Sequence, residues 1–512
     1  MRFGLLGQRH THRRSSEMSK VYVESQNTLP VYDECDILVV GGGAAGHSAA
    51  VAAARANKDA KIILMERYGY FGGDVTGGYV LMIPSLNWRT HSMIRGLQEE
   101  WFTRLDAKAP ESYISVKQKD IGKDTPILVD RWSLIHGCTT PGAGPKTLVR
   151  APYYEPQQIK IEMDLMVQEQ PNIQMLLHCW GTKPIMEGNE IKGVIFESKA
   201  GRKAIYAKIV IDATGDGDIY SQAGADFHGR DGVPGESLRD DQTALVWRCG
   251  GVDYEAYARW SRANPEAGRA FSMELMKVAG YRTAFFPAGC NDVVWFNNWL
   301  SGMSCIDLDD IRETELKVRN SIRDIIDFCK EAIPFAFKNA YLVDVAPQLG
   351  VRCSRRLDGE VYMTNRNFCD NPEYEDVIAW SSSLGADAPI EIPYGCLLPK
   401  KIDNLICPGR HLSADAEAIG PLQLIPQCVQ TGQGAGVAAA VAIKDGTTAK
   451  TVDIKKVQYI LSHEQDVPLP RQDNTDPALV AELEAFNYGR DTERAKRIRA
   501  AVEAHQRAHD KF

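Results

Sequence analysis

The chain has 512 residues, is 44% hydrophobic and 25% charged, and carries a formal net charge of −8. That length accommodates roughly three domain-sized units, and the composition is that of an ordinary globular protein with a sizeable core. Mild acidity argues against a general nucleic-acid surface, which needs a basic excess, and no apolar run reaches the ~18–20 residues of a membrane span.

The N-terminal stretch is polar and basic. Arg13-Arg14 is followed by Ser15-Ser16-Glu17 rather than an apolar segment, so neither a signal peptide nor a twin-arginine leader is expected. Met18 offers a second start beside Met1, residues 1–32 read as an extension outside the fold, and a cytoplasmic protein is expected. Twelve cysteines are present, none in a Cys-x-x-Cys pair. Zinc ribbons, iron–sulfur runs and redox dithiols need that spacing. No metal site is expected, and the thiols read as reduced, buried small hydrophobes.

Cys35-Asp36-Ile37-Leu38-Val39-Val40 is a β-branched apolar run, predicted as a strand buried on both faces. Three glycines follow, and then the alanine-rich segment His47–Arg55, predicted as a helix. Lys61–Met65 reads as the next strand, ending on Glu66. In Gly41-x-Gly43-x-x-Gly46, Gly41 permits the tight turn and Gly43 lets backbone approach a pyrophosphate. Gly46 permits close helix–strand packing, and Ala45 lies in the same turn. Glu66 lies 20 positions beyond Gly46, where a carboxylate meets an adenosine ribose. A bare β-α turn without ligand leaves Glu66 unexplained, so a dinucleotide site is expected.

Further along the chain come several more signals. Arg67-Tyr68-Gly69-Tyr70-Phe71-Gly72-Gly73-Asp74-Val75-Thr76 is a second glycine-rich loop. Residues 111–149, with Pro, Gly and Thr clustered toward the end, read as an insertion or flap. Ile185–Ser198 reads as a hairpin turning at Gly188-Asn189. Lys203–Asp212 is a strand running into Ala213-Thr214-Gly215-Asp216-Gly217-Asp218, and Ile402–Ile406 a strand running into Cys407-Pro408-Gly409-Arg410-His411. Gln430-Thr431-Gly432-Gln433-Gly434-Ala435-Gly436 opens an alanine-rich helix. It lacks the βαβ context of a phosphate loop, so the helix reading is preferred. Asp491–Arg494 opens a polar helix to about Asp510, with Ile498 and Val502 on one face.

Taken together, these segments resemble the FAD-dependent oxidoreductases of the glutathione reductase and fumarate reductase flavoprotein superfamily, over about Asp33 to Gly446. A segment Gly350-Val351-Arg352-Cys353-Ser354-Arg355-Arg356 resembles the Gly-x-Arg-x-Ser-Arg-Arg motif of one broad family of them. The resemblance implies noncovalent FAD, because neither His91 nor His47 has the neighbours of the covalent flavin–histidine pattern. It also implies an α/β fold, with a discontinuous Rossmann-like FAD-binding domain (33–110, 150–225 and 395–447), an inserted α+β substrate domain (226–394) and a C-terminal helical tail (448–512). The cofactor contacts carried over are Gly41, Gly43, Ala45, Gly46, Glu66, Arg67, Gly72, Gly73, Asp74, Thr76, Trp180, Gly181, Ala213, Thr214, Gly215, Asp218, Gly409, Arg410, Gln430, Thr431, Gly432 and Ala435. The last helix would aim its N-terminus at the flavin pyrimidine, where negative charge builds on reduction.

Bound FAD without a second dinucleotide unit implies hydride transfer at flavin N5 to or from a small organic molecule. Arg352, Arg355 and Arg356 could grip an anionic substrate or the flavin through bidentate forks, or pair with Asp358 and Glu360. Of these, Arg352 and Arg356 are favoured, and Arg410 joins them as a candidate. His411, beside Gly409-Arg410, has the titration range of a general base, and a histidine held by backbone is the competing reading. Asp415, Glu417 and Tyr394 lie nearby, while Trp247 and the run Trp295–Trp299 line a substrate pocket or fill the core. Relatives carry a His and an Arg where this chain has Ala416 and Gln423. That difference favours a neutral hydrogen-bonding substrate, such as a polyol, sugar derivative or cyclic alcohol.

Three alternatives stay open: a flavoprotein subunit of a larger electron-transfer complex, a fumarate-reductase-like ene reductase, and a thiazole-synthase-like non-redox protein. No nucleic-acid or membrane partner is expected. The sequence leaves open the direction, the electron acceptor (O₂, quinone or protein) and a homo-oligomeric state.

Overall fold

The computed structural model describes residues 22–83, 87–88, 91–92, 95–108, 127–128, 134–136, 148–150, 153–229, 242–288, 292–381, 389–472 and 477. Its central sheet begins with β1 (Val31–Val40), which leads through the glycine turn into α1 (Ala44–Ala56) and then β2 (Ile62–Glu66). A helix α2 (Pro156–Gln168) returns the chain to β3 (Ile173–Leu177), and β4 (Cys179–Glu187) and β5 (Glu190–Ser198) form the expected hairpin. The long strand β6 (Gly201–Asp212) follows. The order β3-β2-β1-β6 is parallel throughout. The first half of β6 also pairs antiparallel with β5, and its last residues pair in parallel with β7 (Leu405–Ile406).

Alternation along these strands feeds two cores. Ile37, Val39, Ile62 and Leu64 point into one with the alanines of α1, while Leu38, Val40, Ile63 and Met65 point into the other with Val194, Phe196 and Tyr220. Both faces are covered, which is why these strands read as unbroken apolar runs.

The alanine content of α1 has a packing reason. It is crossed by the 21-residue helix α3 (Ile425–Asp445), and the two meet backbone to backbone where Gly432 faces Ala45 and Gly436 faces Ala49. Asn57, just past α1, donates from Nδ2 to the Ala440 carbonyl at 3.3 Å.

A second sheet stands beside the first. Its strands run in the order 341–345, 247–250, 293–301, 242–244 and 350–353, with 282–287 also paired to 293–301. A 25-residue helix, Leu308–Ala332, capped by Asp307, packs against it with Pro265–Ala279. Trp247 stacks on Phe296 at 3.9 Å and 5°, and Trp295 donates Nε1–H to the Pro287 carbonyl. These aromatics are core, not pocket lining.

The hairpin Val377–Ser381 and Ile390–Pro393, expected in the substrate unit, packs on α3: the Trp380 N–H donates to Gln430 Oε1 at 3.1 Å and Ile378 lies against Gly434. Apart from the short strands Ile127–Leu128, Leu134–His136 and Leu148–Arg150, the expected flap lies outside the described residues, as does the expected helix at 491–510. No described helix is long and apolar enough to cross a membrane.

Candidate active site

At the C-terminal ends of β1, β2 and β6, where open parallel sheets bind ligands, lies a cleft holding about 860 Å³ of space free of atoms, its open mouth included. Gly41, Gly43, Ala44 and Ala45 form one wall, Glu66, Arg67 and Tyr68 a second, and Ala213, Thr214, Gly215 and Asp218 a third. Gly73, Asp74, Gln348, Gly409, Arg410 and Gln423 close the inner end.

The turn after β1 requires glycine. Gly41 has φ +97°, and a Cβ there would sit 2.5 Å from the Ala213 carbonyl oxygen. At Gly43 the nearest atom to an added Cβ is 3.9 Å away, on Gly73, so the wall here is bare backbone. Gly43 caps α1 without a side-chain hydrogen bond, and the first turn contains no acidic residue. Its leading N–H groups, which have no acceptor within the helix, are therefore left for a ligand, with the positive end of the helix dipole behind them.

Glu66 closes the neighbouring wall. Its carboxylate accepts from the Gly42 N–H at 2.6 Å and the Tyr68 N–H at 2.8 Å, while burial raises its pKa. The Arg67 guanidinium lies 5.1 Å from the Tyr68 ring and 5.3 Å from the Trp180 ring, giving this wall a flat, cationic surface.

At the inner end α3 begins. Its N-cap Leu424 makes no side-chain cap bond and its first turn is free of acids, while Gln423, Ile425 and Cys428 line the cleft. Two uncapped helix N-termini thus converge on one cavity. Beside them Arg410 lies over Gly215 and donates from Nη2 to both oxygens of Asp216 at 3.1 Å, with Nη1 3.6 Å from Asp74. Asp216 also accepts from the Ser354 hydroxyl at 2.7 Å and the Cys305 thiol at 3.4 Å. Burial alone would raise the Asp216 carboxyl, but Arg410, the Ser354 hydrogen bond and Arg67 outweigh it and hold it ionised. Asp218 goes the other way, raised by burial and by the charges of Asp216 and Asp212.

The structure brings Gly41, Gly43, Ala45, Glu66, Arg67, Gly73, Asp74, Trp180, Gly181, Ala213, Thr214, Gly215, Asp218, Gly409 and Arg410 to the cleft. Others stand behind it. Gly46 lies against the Gly41 carbonyl, Gly72 (φ +105°) donates N–H to Gly42 O, and the Thr76 hydroxyl donates to Phe71 O. The buried Gln430 accepts from Trp380, and Thr431 accepts from the Gly409 N–H at 3.2 Å while donating to Gln427 O. Gly432 packs on Ala45, and Ala435 is buried within α3. These seven residues support the cleft rather than line it.

Two catalytic candidates do not line the cleft. His411 is wholly buried: Nδ1 accepts the Gly217 N–H at 2.8 Å, so Nε2 carries the proton and donates to Asp212 O at 2.9 Å. Burial depresses its pKa. With both ring nitrogens spent on backbone, it ties the loop after β7 to the end of β6 and the loop that follows it, and it does not line the cleft. Arg356 is also fully buried and donates to the Ala414 carbonyl at 2.6 Å, a structural tie. Asp415 caps a turn through Glu417 and Ala418, and Tyr394 donates to Ala449 O.

Sequence reasoning missed Tyr68, Cys179 and Gln348 on the cleft wall and Asp216 as the partner of Arg410. Asp216 sits directly after Ala213-Thr214-Gly215 and could have been found from that position. Gln348 has no comparable local signal.

The donors fit a flavin dinucleotide. An uncapped helix start faced by bare glycine backbone suits a pyrophosphate, a carboxylate at Glu66 suits a ribose, and a second uncapped helix start suits a ring system that gains negative charge. A family model described as FAD dependent oxidoreductase matches residues 36–461. No curated protein matches. Among solved structures, a geranylgeranyl bacteriochlorophyll reductase-like protein from Thermoplasma acidophilum is 15% identical, covering 92% of this chain and 87% of its own, with a TM-score of 0.43. The p-nitrophenol 4-monooxygenase PnpA of Pseudomonas putida DLL-E4 is 10% identical, covering 93% and 98%, with a TM-score of 0.44. The flavin-dependent monooxygenase PieE, solved with FAD and substrate, is 13% identical, covering 93% and 72%, with a TM-score of 0.43.

Proposed function

The chain belongs to the FAD-dependent oxidoreductase family, and on that premise we propose that it transfers a hydride between a small organic substrate and N5 of a noncovalently held FAD. The observation that carries this reading is the convergence of two uncapped helix N-termini, α1 and α3, on one cleft whose inner end is lined by Asp74, Gln348 and Arg410. Bound FAD supplies a two-electron acceptor. The protein's own residues do the rest: α1 and the Gly41–Ala45 wall hold the phosphates, Glu66 the ribose, and the start of α3 offsets charge on the ring.

Gln423, neutral on the cleft wall, with Nε2 3.3 Å from the Gly420 carbonyl, supports a neutral substrate rich in hydroxyls, such as a polyol, sugar derivative or cyclic alcohol. Arg410 is neutralised by Asp216, so it orients rather than captures. The test is anaerobic. Purified protein is expected to be yellow, and one member of a panel of alcohols, acids and amines should bleach the flavin. FAD retained with no bleaching by any of them overturns the reading.

A further inference from the structure

Unpartnered polar atoms gather at the inner end of the cleft, where Asp74, Gln348 and Arg410 line it, and behind that lining, where Tyr70 and Arg352 lie. Asp74 Oδ1, Gln348 Oε1, the Tyr70 hydroxyl, Arg352 Nε and Arg410 Nε are all closed to solvent, and none makes a hydrogen bond. Each such orphan costs on the order of 1–3 kcal/mol, so several in one place mark where a ligand completes the site. They are neighbours. An added Cβ on Gly77 would collide with both Tyr70 OH and Gln348 Oε1, and one on Gly350 would lie 3.8 Å from Asp74 Oδ1. Asp74 Oδ2 lies 3.6 Å from Arg410.

Arg352 is the most exceptional member. Val351 stands opposite Thr243 and Cys353 opposite Gln242, so Arg352 is the extra residue of a β-bulge, a device that re-aims a side chain. Its guanidinium lies over the Trp299 ring at 5.3 Å, sharing that ring with Arg282 at 4.8 Å. Among the described residues it has no ion pair or hydrogen bond, and Asp74 is the carboxylate whose field it feels. Burial lowers its pKa and raises that of Asp74, the response of two groups that lack solvent and lack full compensation.

We propose that Arg352 and Asp74 form an oxyanion subsite, in which Arg352 holds the oxygen on the reacting carbon of the substrate and Asp74 exchanges its proton. Resting on the hydride-transfer reading, this supplies the base that His411 cannot be. In the oxidising direction the substrate O–H bond breaks and its proton passes to Asp74 Oδ1. The C–H bond breaks as its hydrogen and electron pair leave to the oxidised flavin, and a C=O bond forms. The reverse reaction returns the proton from Asp74.

A small carboxylate can occupy the subsite without turnover. Formate and acetate are titrated into the FAD-loaded protein, following the visible flavin band and the thermal midpoint. Saturable binding is expected, weakened about tenfold or more in Arg352→Gln, in line with loss of a charge-assisted contact. A carboxylate beside Asp74 requires Asp74 to be protonated. Affinity should therefore fall about tenfold per pH unit above the Asp74 transition, and Asp74→Asn should remove that slope. Absence of saturable binding, equal affinity in Arg352→Gln, or an unchanged slope in Asp74→Asn overturns the proposal. Where Arg352→Gln sheds FAD, Arg352→Lys is read instead: a point charge replacing the fork should weaken acetate, and equal affinity counts against the subsite. The outcome is separable from the bleaching panel. Bleaching without probe binding rejects the subsite alone, and probe binding without bleaching rejects the hydride reading.

Discussion

Gly432 and Ala45 meet with no side chain between them: a Cβ on Gly432 would overlap the Ala45 carbonyl, and one on Gly436 would overlap that of Ala49. Ala45 lines the cleft, so this crossing fixes one of its walls. Gly432→Ala should force α3 off α1, destabilising the fold by about 1–3 kcal/mol, the usual cost of overpacking, and lowering FAD content. Thermal denaturation with flavin quantitation checks this. A variant as stable and as yellow as the parent would show that the helices have room to part.

Gly41→Ala attacks the same wall from the strand side. It combines a φ of +97° with a clash on Ala213 O, so relaxation is blocked in both respects. The protein should fold yet purify with little FAD, and isothermal titration of added FAD should give much weaker binding. Full occupancy after purification would contradict the expectation.

His411→Gln separates a base from a tie. Both imidazole nitrogens are engaged by Gly217 and Asp212 backbone, so the variant should lose on the order of 1–3 kcal/mol of stability and leave the shape of the pH–rate profile unchanged. A rate loss of about a hundredfold at unchanged stability and FAD content would restore His411 as the base.

The parts of this site that could be read from sequence are those whose meaning is local. The β-α-β unit, Glu66 at its end, the 185–198 hairpin and the Ala213-Thr214-Gly215 turn are each set by a few adjacent residues, and each formed where expected, although β1 starts four residues earlier, α1 three and the first strand of the hairpin six. The placements that local sequence could not supply depend on partners far along the chain. The role of His411 is decided by Gly217, 194 positions away, and that of Gly432 by the α1 backbone. The allegiance of the 377–393 hairpin is decided by Gln430 and Gly434. Spacing carries no trace of these contacts, and a glycine that binds a phosphate looks identical to one that admits a helix.

Asp216→Asn leaves the Arg410 guanidinium buried beside Gly215 without its two-point acceptor. Breaking one side of a buried pair costs about 3–5 kcal/mol, far more than removing the Ser354 hydroxyl, which is one neutral donor to the same carboxylate. Chemical denaturation of Asp216→Asn and Ser354→Ala should rank them in that order. Equal losses would mean that Arg410 finds another acceptor.

His47 gives a pH dependence of stability. It is fully buried at the start of α1, with Nε2 3.1 Å from Met163 O, and burial lowers its pKa from 6.5 to about 4. The unfolded chain therefore binds the proton first. This contribution to stability is complete above pH 6.5 and is lost as pH falls toward 4, by about 3 kcal/mol at 1.36 kcal/mol per unit. His47→Gln should flatten that part of the midpoint-versus-pH curve, and an unchanged curve would assign the acid sensitivity to other groups.

The bond from Asn57 to the Ala440 carbonyl spans 383 positions, and the wall shared by α1 and α3 spans slightly more. On the ribosome, at ~5–20 residues per second, α3 is synthesised roughly 20–80 seconds after α1. Until then the glycine turn is a half-built cradle with one side open to water. Cofactor loading must therefore be among the last events in the birth of this protein, and a chain truncated before α3 should emerge colourless however much FAD surrounds it.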